Sequence, residues 1–331
     1  MARQTSSSEE RSYEEAFRVA TLYYYQGLNT EEIAAEMRFS RPKVSKLLNY
    51  ARTNGLVQIK VIDSRKKLSP LEEVLRERFD LIRVHIVAAP EYLGEVSWLE
   101  RVSRYTAHYL NATLEPRQTL GVAWGTTISE ISLHLIPKVI PGLRIVQLNG
   151  STNTTLADNR YAASILQSYA ANYQASIQLF PVPSFFDYAE TKAAMWRERS
   201  IRAILEMQEK ADVLLYSIGS VEAGVPSRVY SGDFLEPSDM EQIRNENVVG
   251  DIATVFFRPD GSWEDIPLNH RASGPPLDLY RYAPRRVCVV SGRAKMPALH
   301  TALRSGYMNE LIIDEPSARL LADEFLFLGD S

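Results

Sequence analysis

Residues 29–55 read NTEEIAAEMRFSRPKVSKLLNYARTNG, and two helices can be placed in them from their ends inward. Asn29 can cap the first by accepting from N–H groups of its opening turn, and Glu32, three residues on, is the reciprocal partner. Ile33, Ala34 and Met37 then form one apolar face. Ser40 caps the second helix, and Pro42 falls in its first turn, where a missing N–H does no harm. Val44, Leu47, Leu48 and Ala51 line its inner side, and Gly55 closes it. Upstream, Ala16, Val19, Ala20 and Tyr23 recur at i, i+3, i+4, i+7, with Gly27 placed to stop that helix. Three short helices with a tight turn between the second and third predict a helix-turn-helix head. The small Ala34 lets the third helix cross closely.

With Val44 and Leu48 facing inward, Arg41, Lys43, Ser45, Lys46 and Asn49 are expected to point away from the head. Arg41 and Lys43 lie near the helix N-terminus, the end that meets base edges in this motif. Arg41, Pro42, Lys43, Ser45 and Lys46 are therefore the candidate contacts to base edges or phosphates of double-stranded DNA. The charge agrees. The whole chain of 331 residues carries a net −4, yet residues 1–67 hold 12 Lys/Arg against 8 Asp/Glu, and the remainder holds 25 against 33. From Arg38 to Lys67 there are nine basic residues and a single acid, Asp63. A basic run alone is usually only a solvated face, and a protein-binding three-helix module is the competing explanation; the combination with capping and orientation favours DNA.

Beyond Gly55 the alternating, β-branched Leu56–Ile62 predicts one strand, so the head spans 13–62, with a polar leader over 1–12 expected to be disordered and a linker at 63–70. The body, 71–331, alternates short apolar runs with helical patterns. The runs are Ile82–Ala88, Leu120–Trp124, Leu143–Leu148, Val213–Ile218, Val287–Val290 and Leu311–Ile313. This alternation predicts an α/β domain built on a mainly parallel sheet with helices on both faces. Such sheets bind ligands beyond the carboxyl ends of their strands.

Small polar loops follow four of those runs. Gly125-Thr126-Thr127 follows the first inner run and opens a helix, offering free N–H groups and two hydroxyls to an anion. Asn149-Gly150-Ser151, Gly219-Ser220 and Ser291-Gly292 repeat the arrangement. One such loop is weak evidence, since glycine serves any tight turn and threonine any N-cap; four at strand ends are stronger. Lys295 precedes a helix starting around Pro297, where a cation opposes the helix dipole and a bound anion offsets it. Pairing with Asp314 or Glu315 would be the structural alternative. Asp251, Asn269 and Arg271 flank a further segment and are candidates to hold a hydroxyl and a second anion, although charged loop residues are common.

The residues carry a resemblance. Gly27-Leu28-Asn29-Thr30-Glu31-Glu32-Ile33-Ala34, Ser40-Arg41-Pro42-Lys43-Val44-Ser45-Lys46-Leu47-Leu48 and Ala51-Arg52-Thr53-Asn54-Gly55-Leu56-Val57 resemble the DNA-binding domain of the SorC family, bacterial sugar-responsive transcriptional regulators. Gly121-Val122-Ala123-Trp124-Gly125-Thr126-Thr127, Gln147-Leu148-Asn149-Gly150, Gly250-Asp251-Ile252, Pro267-Leu268-Asn269-His270-Arg271 and Gly292-Arg293-Ala294-Lys295 resemble its effector-domain motifs, in order. The resemblance covers nearly the whole chain. It implies a body similar to sugar-phosphate isomerases that keeps a phosphosugar pocket as a sensor, usually in a homotetramer. Arg38 departs from the pattern, standing in the turn where such motifs usually have glycine. A positive φ there costs a non-glycine residue on the order of 1 kcal/mol.

Other classes are weakened. No run of about 18 uncharged apolar residues exists, so no membrane partner is expected. The leader lacks a secretory apolar stretch. The one cysteine, Cys288, lies in an apolar run as a small hydrophobe, which suits a reducing cytoplasm. His85, His108, His134, His270 and His300 stand singly without metal-ligand spacing, and no nucleophile elbow or Walker loop is visible, so neither metal nor cofactor is expected. A sugar-phosphate isomerase fused to a DNA-binding head is the rival function, with Glu222 and Asp251 as its acid and base. A constitutive architectural DNA protein is disfavoured by the large acidic body. A single head makes few phosphate contacts, so a dimer or tetramer on repeated half-sites is expected.

Overall fold

The computed structural model describes residues 2–57, 69–152, 156–221, 227–231 and 234–324. The chain divides into two compact units, residues 1–66 with 136–138, and 67–135 with 139–331.

Three helices form the head, α1 (Ala2–Tyr24), α2 (Thr30–Met37) and α3 (Arg41–Thr53). The capping box is in place: Asn29 Oδ1 accepts from the N–H groups of Glu31 and Glu32 at 2.9 and 3.0 Å, and Glu32 Oε2 accepts from the Asn29 N–H at 2.7 Å. Ser40 Oγ accepts more loosely, at 3.4 Å from the Lys43 N–H. Ala16, Val19, Ala20, Leu22, Ile33, Val44, Leu47, Leu48 and Ala51 make one core. Two details differ from the sequence expectation. Leu22 is buried and Tyr23 is 39% exposed, so the apolar face of α1 turns by one position near its end. The leader is not separate from α1, which runs from Ala2; elongating a helix already nucleated on a packed segment needs little help from side chains. Arg38, between α2 and α3, adopts the left-handed conformation at φ 54°, ψ 43°.

Most of the expected strand at Leu56–Ile62 and of the linker at 63–70 lies outside the described residues. Leu56 and Val57 pack on the head's core, and Ser69 caps a helix, Pro70–Arg78, so the linker's last residue is already helical.

Among the described residues of the body there are ten strands: β1 (Arg83–Val87), β2 (Thr119–Val122), β3 (Arg144–Gln147), β4 (Ser176–Gln178), β5 (Val213–Tyr216), β6 (Ile218–Gly219), β7 (Gly250–Ile252), β8 (Val255–Phe257), β9 (Arg285–Val290) and β10 (Glu310–Asp314). Seven form one sheet in the order β1-β10-β9-β5-β2-β3-β4, and every pairing in it is parallel. Its inner strands, β10, β9, β5, β2 and β3, are buried on both faces, as their near-continuous apolar runs require, while the edge strand β4 is exposed. Leu214, Tyr216, Cys288, Val290, Leu311 and Ile313 pack to one side, and Val213, Leu215, Val287, Val289 and Ile312 to the other. Burial pushes the Cys288 thiol far above its ordinary range, consistent with packing rather than reactivity.

The run read as a single strand over Val213–Ile218 is split between two sheets. After Ser217 the chain leaves the parallel sheet, and β6 starts a three-stranded antiparallel sheet with β7 and β8. A two-residue turn, Ala253-Thr254, joins β7 to β8, with φ 48° and 73°. Positive φ at both positions suits the twist of a tight hairpin, but alanine and β-branched threonine adopt it at a cost of order 1 kcal/mol or more each.

Candidate functional site

From β1 the chain crosses to β2 and grows outward through β3 and β4; it then returns to β5 beside β2 and grows the other way through β9 and β10. The β2–β5 boundary is therefore the switch point of the sheet, where the loops at the strand ends part and leave a crevice. A cleft lies there, lined among others by Gly125, Thr126, Thr127, Asn149, Gly219, Asp251 and Lys295. Three separate loops and the antiparallel sheet, which carries Gly219 and Asp251, thus bring seven of the sequence candidates together. The cleft is a cavity of about 40 Å³. It is narrow in this state and has room for a few waters.

Each wall has a local cause. Gly125, at φ 152° and ψ 172°, occupies backbone space nearly restricted to glycine and turns β2 into the helix Thr126–Leu133, which has no side-chain cap at its start. Ser217 Oγ donates to Thr127 Oγ1 at 3.2 Å across the switch point. Asn149 Oδ1 accepts from the Trp124 N–H at 3.3 Å, fixing one loop against the next. Gly219 is required by proximity: a Cβ there would stand 1.9 Å from Asp251 Oδ1.

Asp251 and Lys295 are the buried charges of the cleft, 3% and 7% exposed. Burial pushes the Asp251 carboxyl up to about 6, against the pull of the Thr254 N–H, the Tyr230 hydroxyl and the Lys295 ammonium. Thr254 donates to Asp251 Oδ2 at 3.1 Å, while Oδ1 has no hydrogen-bond partner among the described residues. Burial also lowers the Lys295 ammonium, opposed by Cys288, Asp251, Glu95 and Asp314. Pairing of Lys295 with Asp314 is not what the structure holds: Asp314 accepts from the N–H groups of Gly292 and Ser317, at 3.1 and 2.8 Å. A buried cation and a buried carboxylate oxygen are thus both left facing the cleft.

Other candidates are placed elsewhere. Gly150 is buried behind the cleft, its carbonyl accepting from Trp124 Nε1 and Ser184 Oγ. Ser151 Oγ accepts from Gln147 Nε2 at 3.1 Å. Ser220 donates to the Ala294 carbonyl at 3.4 Å, linking two of the loops just outside the lining. Asn269 has a structural duty: its amide accepts from the Phe256 N–H and donates to the carbonyls of Phe256 and Trp263, so β8 is held to the segment after it. Arg271 pairs with Asp239 and lines a different cavity. Ser217, Ser227, Arg228 and Thr254 line the cleft without having been singled out. Arg228, whose guanidinium sits 5.0 Å from the Tyr161 ring centre, had no periodic or glycine signal to mark it. Glu222, the proposed acid of an isomerase, lies outside the described residues.

On the head, Arg41, Pro42, Ser45, Lys46 and Asn49 are exposed along α3. Lys43 lies among them with 41% of its side chain exposed. Its ammonium pairs with Glu15 at 2.7 Å and lies 3.6 Å from the Phe39 ring centre, tying α3 to α1. Arg41 pairs with Glu31 at 2.6 Å, an exposed contact that phosphates would readily replace.

A three-helix head in the same chain as a parallel α/β unit with a charged crevice at its switch point is a layout that suits a ligand-responsive DNA-binding protein. The family model described as "Putative sugar-binding domain" matches residues 64–322. The chain is 34% identical over 308 residues to the deoxyribonucleoside regulator of Bacillus subtilis (strain 168), covering 92% of this chain and 96% of that one. Among solved structures it is similar to a domain of "a possible sugar-binding transcriptional regulator" from Arthrobacter aurescens TC1, with 39% identity, TM-score 0.71 and coverage of 78% and 99%. The full-length sorbitol operon regulator SorC from Klebsiella pneumoniae shares the fold over 93% of this chain and 98% of its own, at 22% identity and TM-score 0.68. The chain belongs to the SorC family of sugar-binding transcriptional regulators. It is a DNA-binding regulator under the control of an effector. No helix among the described residues is long and apolar enough to cross a membrane.

Proposed function

We propose that the effector is a phosphorylated sugar held in the cleft at the β2–β5 switch point, and that its binding changes how the heads of an oligomer engage an operator. The single observation that carries this is the convergence of the buried Lys295 and Asp251 with three anion-accepting loops. Lys295, the N–H groups opening the helix at Thr126 and the Thr126 and Thr127 hydroxyls suit a phosphate, while Asp251 Oδ1 suits a donating sugar hydroxyl. Asn149, Ser217, Gly219 and Arg228 complete the walls. A state with room for only a few waters must widen to admit such a ligand, and the energy of that widening is how binding distinguishes two conformations. Arg41, Pro42, Ser45 and Lys46 are the proposed contacts to double-stranded DNA, in a homo-oligomer, a dimer or tetramer, working in a reducing cytoplasm.

A thermal-shift panel of pentose and hexose phosphates, each beside its unphosphorylated sugar, tests the pocket. Stabilisation by at least one phosphate, absent for its parent sugar and lost in Lys295→Ala, is the expected result. Equal stabilisation of Lys295→Ala overturns the assignment. Sedimentation of the free and DNA-bound protein tests the assembly. A second reading rests on Asp251 itself, since a carboxyl near 6 beside an ammonium, in a cleft that widens to admit a sugar, can serve as a general base. On the sensor reading, the stabilising phosphosugar shows no exchange of its C1 or C2 protons in D₂O by NMR; exchange at a turnover rate would favour the isomerase.

A further inference from the structure

Around Lys295 the structure places three carboxylates, those of Asp251, Glu95 and Asp314. Asp314 is fully buried and anchored by two backbone N–H groups, and Asp251 is buried and anchored by the Thr254 N–H. Glu95 differs. It stands in the first turn of the helix Gly94–Thr113, is only half-buried, and reaches the loop between β9 and the next helix from outside. There its Oε1 accepts from the Arg293 N–H at 3.1 Å. Its carboxylate also lies flat on Gly292, where a built Cβ would come within 3.3–3.5 Å of its three carboxyl atoms. Gly292 has no side chain to keep it away. The same loop carries Ser291 and Lys295, which line the cleft, and Lys295 is the cation proposed to meet the effector's phosphate. One turn along the same helix, Leu99 lines the cleft.

We infer that Glu95 is a resident anion that occupies the Gly292–Lys295 loop in place of the effector's phosphate and must be displaced for that phosphate to bind. The inference rests on the phosphosugar reading of the cleft. The charge balance supports it: one ammonium faces three carboxylates, so a phosphate dianion entering without the departure of an acid would raise a local excess of negative charge. Of the three, Glu95 is held by one hydrogen bond to the loop and has a path to solvent. A weakly charged or neutral sugar gains too little from Lys295 and the loop to evict it, so Glu95 sharpens selection for phosphorylated effectors. This is discrimination by an incumbent rather than by a new attraction. Because the incumbent sits at the start of Gly94–Thr113, its eviction also removes one tie between that helix and the loop, leaving the Arg293 guanidinium over the Trp98 ring as another.

Inorganic phosphate is the probe, titrated into the full-length protein by calorimetry and ³¹P NMR at low ionic strength. Four proteins are compared: wild type, Glu95→Gln, Glu91→Gln and Lys295→Met. Glu91 pairs with the Arg293 guanidinium at 2.5 Å and belongs to the same acidic rim, so its variant controls for a diffuse field. Glu95→Gln is expected to bind phosphate about tenfold more tightly than wild type, with Glu91→Gln within about twofold and Lys295→Met not binding. The gain in Glu95→Gln should shrink as salt is raised. Equal or weaker binding by Glu95→Gln, or an equal gain in Glu91→Gln, overturns the role of Glu95 while the cleft assignment stands. Undiminished binding by Lys295→Met, or no binding by any of the four, overturns the cleft assignment and Glu95 with it. Melting curves of the isosteric Glu95→Gln protein confirm its fold.

Discussion

Replacing Asp251 with asparagine should make the unliganded protein more stable while weakening its grip on the effector. The carboxyl is buried, and its pKa stands at about 6 against an ordinary 3.8. A rise of that size corresponds to about 3 kcal/mol. The sign follows from linkage: a raised pKa means that the folded state holds the proton more tightly than the unfolded chain. Stability from that proton is fully present below pH 3.8 and is lost as the pH rises through about 6. Above about pH 7 the folded protein carries an ionised, desolvated Asp251 and is about 3 kcal/mol less stable than it would be with a neutral group of the same shape. The asparagine side chain cannot ionise. The difference in melting temperature between Asp251→Asn and wild type should therefore be near zero at about pH 4 and reach about 6–12 °C at about pH 7.5. Loss of the countercharge to Lys295 trims the gain, and the double variant with Lys295→Met restores it. Calorimetry across about pH 4–8 gives the curve. A difference that does not vary with pH, or a variant less stable at neutral pH with and without Lys295→Met, refutes the assignment of Asp251 as a strained buried anion. Effector affinity should fall about tenfold to a hundredfold, the loss of a charge-assisted hydrogen bond.

Gly219→Ala should push the Asp251 carboxylate out of place, because the new Cβ would stand 1.9 Å from Oδ1; phosphosugar binding should drop more than about tenfold by calorimetry while operator binding by gel shift is retained. Arg38→Gly relieves a left-handed residue at φ 54° and should stabilise the head by about 0.5–1 kcal/mol, after the greater freedom of glycine in the unfolded chain is allowed for. A lower melting temperature for the head's transition would contradict it. Arg41→Ala should weaken operator binding and reduce the slope of log affinity against log salt by about one; an unchanged slope removes Arg41 from the phosphate contacts. Asn269→Ala should destabilise the body by about 2–4 kcal/mol in denaturant unfolding, because it strips the partners of buried backbone groups on β8. A loss confined to effector affinity would instead return Asn269 to the cleft.

The head is legible in the sequence because its signals are local. A capping box, a serine cap with proline behind it and an i, i+4 apolar face all act within a few residues, and all are where the sequence puts them. The pairing of Lys43 is not legible there because its partner is not local: Glu15 stands on another helix and holds the ammonium beside the Phe39 ring. In the body, the long apolar runs announce β1, β2, β3, β5, β9 and β10, since parallel strands buried on both faces carry apolar residues without alternation. β4, β7 and β8 escape because each has only three residues, too few for any period. The cleft is half legible for the same reason. Strand ends can be listed from the sequence, and Gly125, Asn149, Gly219 and Lys295 follow from that rule. Which loops face one another depends on strand order, and Asn269 and Arg271 are carried away from the cleft by the antiparallel insert that carries Asp251 into it.

That insert explains why a regulator would retain features that work against its stability. β6 leaves the parallel sheet at the switch point, and its Gly219 makes room for the Asp251 carboxylate on β7. The hairpin beyond it turns on Ala253 and Thr254, both at positive φ, and the Thr254 N–H produced by that strained turn is the group that holds Asp251 Oδ2. Strain and burial are thus linked: a relaxed turn would not present the N–H, and an unburied carboxylate would not need it. Three unfavourable features, the desolvated acid, the desolvated Lys295 and the strained turn, meet in one cleft. Left-handed residues also stand elsewhere in the body, at Asp80, Arg117, Gln174 and Asn247, but Asp251 and Lys295 are buried charges that line a crevice, and a ligand that bridges them offsets the burial of both at once. A small polar effector can shift the conformational balance of the protein because the energy it releases falls where the strands change direction.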